Sequence, residues 1–396
     1  MLEANAMSSL RFKRVAVLFL AGAAFAMMGL GGNGKPPKGL SPAAEQELRD
    51  AGVDKYLGKF TPAQSVEIEG GWTKHTYDTD DGQGPICIAG TPYSVFTRPG
   101  RSSKKLLLFE QGGGACWQDF YNCNILAEDQ EPPGPQQGIF DLSKGNRGNP
   151  FRDYSIVYMP YCDGSTFSGD NDVVDPNFPF GPVRFHRGLR NQSAAMDLAK
   201  ATFPKARRIT LAGSSAGGVG VAGFSPFLVR MNYGKGVKLT VFNDAGPVTI
   251  NPDALGDIDA RAADWDFGKF YPASCTDCSD VGEATEVIKW RLDNDSTIRE
   301  AFYETDSDFT NRFFLGLLGD QPRFRELVVD GHGVINAEFP DRYKRFIVAG
   351  DGSHTALQVP LFYTQDANGV FLNDWTFSFL KNKASWIDIV ESPLLP

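Results

Sequence analysis

Arg207-Arg208-Ile209-Thr210-Leu211-Ala212-Gly213 runs straight into Ser214-Ser215-Ala216-Gly217-Gly218-Val219-Gly220, and this join decides the fold. The first half is an apolar run of strand length, and the second reads as the start of a small-residue helix. Gly213-x-Ser215-x-Gly217 therefore stands between a strand and a helix, where a sharp turn can lift a serine hydroxyl above a sheet edge. Glycine on both flanks relieves the crowding that such a turn creates. Ser215 is the candidate nucleophile. The amide of Ala216, at the positive end of the following helix, would face a reacting oxygen. A plain Gly-rich turn is the competing reading, and the strand before and helix after disfavour it.

Outward from this join, apolar runs alternate with helix-period stretches. Lys104 to Glu110, Tyr154 to Pro160, Arg207 to Gly213, Lys238 to Asn243, Thr297 to Glu304 and Tyr343 to Ala349 read as strands. Arg187 to Thr202 and the residues after Ser215 read as helices. The alternation predicts an α/β fold: a mostly parallel sheet with helices on both faces, in one domain from residue 45 to 396. The stretch from Ala127 to Pro150, rich in Pro, Gly and Gln, reads as a long surface excursion.

Gln111-Gly112-Gly113-Gly114 follows the strand Lys104 to Glu110 at once. Consecutive glycines let backbone N–H groups approach a substrate, so Gly113 and Gly114 are candidate oxyanion donors beside Ala216. No Lys follows them, which disfavours a phosphate loop. Of four histidines, His354 sits in a loop after the last of these strands, where a general base is expected. His75 falls in the polar N-terminal region before the first sheet strand. His332, between Gly331 and Gly333, reads as a turn. His186, at a helix start, suits a structural or substrate-contacting role.

A buried carboxylate must orient the base. Asp306, first after the strand Thr297 to Glu304, is preferred. Asp308 is the second choice, and Asp244 after Lys238 to Asn243 the third; each could instead cap a helix or turn. Phe309, Phe313, Phe314, Leu315, Leu317 and Leu318 follow, and a buried amphipathic helix is favoured over an acyl pocket for them.

The chain has 396 residues, 42% hydrophobic and 22% charged, enough apolar material for a large core, which excludes disorder. Its formal net charge of −9 argues against broad attraction to nucleic acid or anionic lipid. Arg11, Lys13 and Arg14 precede an uncharged apolar run from Val15 to Leu30, which reads as an export signal with Ala24 and Ala26 as small residues for cleavage. An uncleaved membrane anchor is the alternative. No Cys follows the run, which disfavours lipid modification, and Gly31, Gly32, Gly34, Pro36 and Pro37 complete a linker within residues 1–44. Export suits the six cysteines, Cys87, Cys116, Cys123, Cys162, Cys275 and Cys278, an even number fit for disulfides. Cys275-x-x-Cys278 lies in an acidic loop with no second ligand pair nearby, which favours a local disulfide over a redox or zinc site. Asn191-Gln192-Ser193 and Asn294-Asp295-Ser296 match glycosylation sequons.

Four motifs now resemble one family. The Gly-rich stretch with Cys116 and Cys123, Met159-Pro160-Tyr161-Cys162, Gly213 to Gly218, and His354-Thr355 occur in the order found in the pectin acetylesterase and Notum-like carboxylesterases of the α/β-hydrolase superfamily. The resemblance implies serine ester hydrolysis without metal or cofactor, with Ser215, Asp306 and His354 as triad. It implies the amides of Gly113, Gly114 and Ala216 around the oxyanion, and Trp117, with His186, near the pocket. It also suggests the pairings Cys87–Cys162, Cys116–Cys123 and Cys275–Cys278. Gln111 stands where relatives often carry Glu, and Tyr303-Glu304-Thr305-Asp306 matches the plant enzymes poorly, so the chain looks closer to bacterial members.

The expected activity is that of an exported esterase removing acyl groups, chiefly acetyl, from a polysaccharide or related ester. A long-chain lipase or thioesterase and a catalytically silent carbohydrate- or acyl-binding protein are the alternatives. Activity is expected to fall as the pH drops below about 6.5, where a free imidazole protonates.

Overall fold

The computed structural model describes residues 39–79, 82–127, 137–143, 148–278 and 285–393. The export segment Val15 to Leu30 and most of the Ala127 to Pro150 excursion lie outside the described residues. Among the described residues, ten strands form one sheet. They are β1 (Gln64–Ile68), β2 (Trp72–Thr76), β3 (Ser94–Arg98), β4 (Ser102–Glu110), β5 (Tyr154–Met159), β6 (Arg208–Ser214), β7 (Lys238–Asp244), β8 (Arg299–Thr305), β9 (Tyr343–Val348) and β10 (Ile389–Val390). Their spatial order is β1-β2-β3-β5-β4-β6-β7-β8-β9-β10. From β5 to β10 all neighbours are parallel, and β1, β2 and β3 add an antiparallel edge.

The edge corrects one expectation. His75 is not ahead of the sheet but within β2, its ring nitrogens bonded to Ser65 and Thr97 at 2.8 and 2.9 Å. β1 is mostly exposed and polar, so no apolar alternation announced it.

Side chains of the central strands enter two cores in turn because they point to opposite faces alternately. Leu106, Leu108, Ile209, Leu211, Leu239 and Val241 enter one core, with Leu189 of the helix Gly188–Thr202 and Val328 of the helix Gln321–Glu338. Leu107, Phe109, Ala212, Phe242 and Phe346 enter the other, with Trp375 and Phe379 of the helix Leu372–Lys381. Both faces are covered, so the strands carry near-continuous apolar runs. Each fully buried Leu or Phe contributes about 1.5–3 kcal/mol of transfer free energy.

Two more histidines are redefined. His332 is no turn: it lies in the helix Gln321–Glu338, fully buried, with its ring stacked on Phe302 at 3.6 Å between centroids. Its glycine neighbours serve packing rather than chain reversal, since a β-carbon at Gly331 would meet Thr249 at 2.3 Å. His186 ends a short strand, Val183–His186, and is fully buried against Arg184 and the Asp163 carbonyl. Burial, then the charge of Arg184, pushes its pKa down to about 3.

Cys87–Cys162, Cys116–Cys123 and Cys275–Cys278 are bonded. The first ties residues before β3 to the end of β5. The second closes the hairpin Gly114–Trp117/Phe120–Cys123 that follows β4. Asn191 is buried, its amide bonded to Ile86 N and O at 3.0 and 3.1 Å, so that sequon is closed to glycosylation in the fold. Among the described residues no helix is long and apolar enough to cross a membrane.

Candidate active site

β6 ends at Ser214, and Ser215 takes φ 57° and ψ −121° before the helix Ala216–Ala222 begins. A positive φ is strained for serine, and the surroundings must hold it. The Ser215 amide donates to the Asp244 carbonyl at 2.8 Å. The turn also needs both flanking glycines. A β-carbon at Gly213 would stand 2.2 Å from the Gly217 carbonyl oxygen, and one at Gly217 would stand 2.1 Å from that of Glu110.

β4 delivers the Gly-rich loop beside this turn. The position a β-carbon would take at Gly112 lies 2.8 Å from Ser215 Cβ, and Gly113 and Gly114 line one cleft with Ser215 and His354. Three of the polar elements expected from the sequence thus share one rim, at the carboxyl ends of β4, β6 and β9.

The acid is where the preferred expectation needs correcting. His354 Nδ1 meets Asp308 Oδ2 at 2.6 Å, and Asp308 is fully buried. Asp306 faces elsewhere: it pairs with Arg325 at 2.5 Å and accepts the Gly350 amide at 2.7 Å. The reason lies in the turn after β8. Asp306 still extends the ladder, donating its amide to Val348 O at 2.9 Å, whereas the Asp308 amide folds back toward Thr305 O. Asp308 then caps the helix Phe309–Phe314 through Asn311 N at 2.9 Å while its other oxygen holds the imidazole. Capping and orienting the base are compatible for a carboxylate with several acceptor sites.

Two further acids hold this arrangement. Asp244, the third choice as triad acid, contacts the imidazole loop through backbone: it accepts Ala356 N and Leu357 N at 2.9 and 3.0 Å and Ser214 Oγ at 2.5 Å. It thereby ties the loop carrying His354 to the strand that leads into Ser215. Burial raises its pKa, against its hydrogen bonds and the His354 charge. Glu304, absent from the sequence-based candidates, is fully buried behind Asp308. Asn311 Nδ2 lies 2.9 Å from Glu304 Oε2 and 3.0 Å from Asp308 Oδ2. Burial, then the charge of Asp308, pushes the Glu304 pKa well above its ordinary value. The only sequence trace of this pair is Glu304-x-x-x-Asp308, which many strand ends share.

Ser215 sits where two recesses meet. One is polar, walled by Gln111, the glycine loop, Asn124, His354 and Gln358. The other is an apolar cleft walled by Trp117, Val219, Val248, Trp265, Phe314 and Leu315. Trp117 therefore occupies the pocket, whereas His186 lines neither recess. The helix Phe309–Phe314 departs in part from expectation: Phe309 is 64% exposed, and Phe314 lines the cleft while it packs against the core. Hairpin and helix meet here, since Phe120 packs on Phe313 and Phe314 at 5.9 and 5.8 Å between centroids. Among the described residues no group of His, Cys, Asp and Glu is placed to hold a metal ion.

Residues 73–258 match the pectinacetylesterase family. The chain is 29% identical over 213 residues to palmitoleoyl-protein carboxylesterase notum1a of Danio rerio, covering 51% of this chain and 38% of that protein. It is 26% identical over 209 residues to pectin acetylesterase 11 of Arabidopsis thaliana, covering 49% of this chain and 52% of that protein. Human palmitoleoyl-protein carboxylesterase NOTUM is 29% identical over 143 residues, with 34% of this chain and 28% of that protein covered. The chain thus spans about half or less of the length of these curated relatives. The family match includes the glycine loop and Ser215 and ends before Asp308 and His354.

Proposed function

Since residues 73–258 match the pectinacetylesterase family, we propose that the chain is an exported serine carboxylic ester hydrolase removing acyl groups, chiefly acetyl, from a polysaccharide. The reading rests above all on His354 Nδ1 at 2.6 Å from buried Asp308, in the cleft that holds Ser215 on its strained turn.

In this mechanism Nε2, the ring nitrogen left free by Asp308, takes the Ser215 proton as Oγ attacks the ester carbonyl. Asp308 stabilises the imidazolium that forms. The amides of Gly113, Gly114 and Ala216 donate to the developing oxyanion, where preorganised donors act most strongly. His354 passes the proton to the departing alcohol, and water then releases the acyl group by the reverse route. Glu304 sits behind Asp308, shares the Asn311 amide with it and keeps the acid oriented. Export is supported by the basic and apolar residues 11–30 and by three disulfides. Residues 1–44 serve as signal or anchor plus linker, and 45–396 as the catalytic domain.

A fluorophosphonate probe followed by peptide mapping tests the proposal. Labelling is expected at Ser215, absent in Ser215→Ala and strongly reduced in His354→Ala; labelling at another serine would refute it. The apolar cleft favours one rival, a long-chain deacylase. Profiling p-nitrophenyl esters of increasing chain length separates the two: acetate is expected to be turned over faster than octanoate, and the reverse would favour the rival.

A further inference from the structure

The amino ends of the same strands carry a charge pattern that the esterase reading does not use. Arg208, the first residue of β6, stands in register between Lys105 of β4 and Lys238 of β7. Arg299, the first residue of β8, pairs with Thr240, two residues beyond Lys238 and hence on the same sheet face. Four consecutive strands, spaced about 4.8 Å apart, thus present cations to one side. Lys381 and Arg152 join them along three adjoining cavities that form one groove.

Like charges directly opposite one another in a sheet are destabilising, and this chain has a net charge of −9. The local acids answer only in part. Asp153 reaches Lys105 at 3.8 Å but is shared with Arg101 at the same distance, and Asp374 and Asp341 stand on the groove walls. Among the described residues Arg208, Lys238 and Lys381 have no carboxylate partner, and Arg299 Nε is buried without a hydrogen-bond partner. A row of uncompensated cations in a predominantly acidic protein is a site prepared for anions.

We propose that this groove anchors a linear carboxylated polysaccharide, a polyuronate, at the end of the sheet opposite Ser215. Its elongation across four strands and its repeated charges suit a chain with one carboxylate per sugar better than a single small anion. Tyr154 and Phe377 stand in its wall, and Phe377, 40% exposed, offers a flat face for sugar C–H groups. A concave channel also fits a chain better than a planar bilayer. From Arg208 to Ser214 the strand rises roughly 20 Å, so a polymer held here keeps its esters near the cleft without blocking it. This purpose rests on the esterase reading; the binding itself does not.

The test is affinity electrophoresis through gels containing polygalacturonate, dextran, or neither, run in a Ser215→Ala background so that hydrolysis plays no part. Polygalacturonate is expected to retard the protein, dextran is not, and raising NaCl from about 0.05 M to about 0.5 M should abolish the retardation. Arg208→Glu with Lys238→Glu should weaken binding by at least about tenfold. Arg208→Gln with Lys238→Gln, its Tm matched to the parent, guards against misfolding and should weaken it in the same direction. Absence of retardation of the parent, or charge variants bound as tightly as the parent, would overturn the proposal. So would association with phosphatidylglycerol vesicles but not with polygalacturonate. None of these outcomes bears on labelling of Ser215, so the two proposals fail separately.

Discussion

The nucleophile turn and the acid–base segment are built in different ways, though they share one rim of the sheet. At Gly213 to Gly217 the geometry is set by backbone contact: carbonyl oxygens at 2.2 and 2.1 Å from where β-carbons would stand leave no choice of residue. Between Glu304 and Leu357 the geometry is set by side chains, with Asp308, Asn311 and Asp244 each holding several partners. Steric constraint writes itself into a short motif. A hydrogen-bond network leaves only dispersed polar residues.

The contrast predicts how each region breaks. Gly217→Val should be the most damaging, because its side chain must displace the backbone of Glu110; a loss of more than about 4 kcal/mol in urea unfolding, or failure to fold, is expected. Asp244→Ala removes the acceptor of two loop amides without touching the reacting atoms. It should lower kcat by about 10²-fold through a misplaced imidazole, while Asp244→Asn, which keeps one acceptor, should recover part of the loss; the split is read with p-nitrophenyl acetate.

Asp306→Asn tests the other side of the comparison, since it leaves Arg325 without its ion-pair partner. Stability should fall by about 3 kcal/mol, while kcat stays within about tenfold of the parent. A pH-dependent effect concerns Glu110, the last residue of β4, buried beside Gln192 and Ser225. Burial raises its pKa to about 8. The unfolded chain releases this proton near 4.5, so the stability it contributes is present below that pH and is lost as pH rises toward about 8. Its slope is about 1.4 kcal/mol per pH unit. Glu110→Gln should flatten this decline in Tm between pH 5 and 8, to an extent within about that slope; an unchanged profile would place the proton elsewhere.

These differences explain what was legible beforehand. The parallel strands were readable because both their faces are buried, and Ser215 because its turn demands glycine at fixed offsets. His354 was readable from its place after a strand. The choice between Asp306 and Asp308 turned on whether the ladder to β9 ended at Thr305 or one residue later, which depends on tertiary pairing. An N-cap pattern, Asp308 three residues before Asn311, was present but did not by itself exclude Asp306. His332 was misread because nothing in the local sequence reveals Phe302 as the group that encloses it, and of the two roles left open for His186 its buried contacts with Arg184 and the Asp163 carbonyl fit the structural one. The antiparallel edge escaped notice because β1 is exposed and polar.

The most direct test compares pre-steady-state acylation of Ser215 by p-nitrophenyl acetate in Asp308→Asn and Asp306→Asn. With Asp308 orienting His354, acylation in Asp308→Asn should slow by about 10³–10⁴-fold, whereas Asp306→Asn should acylate at nearly the parent rate. The opposite ranking, or equal rates in both variants, would contradict the account.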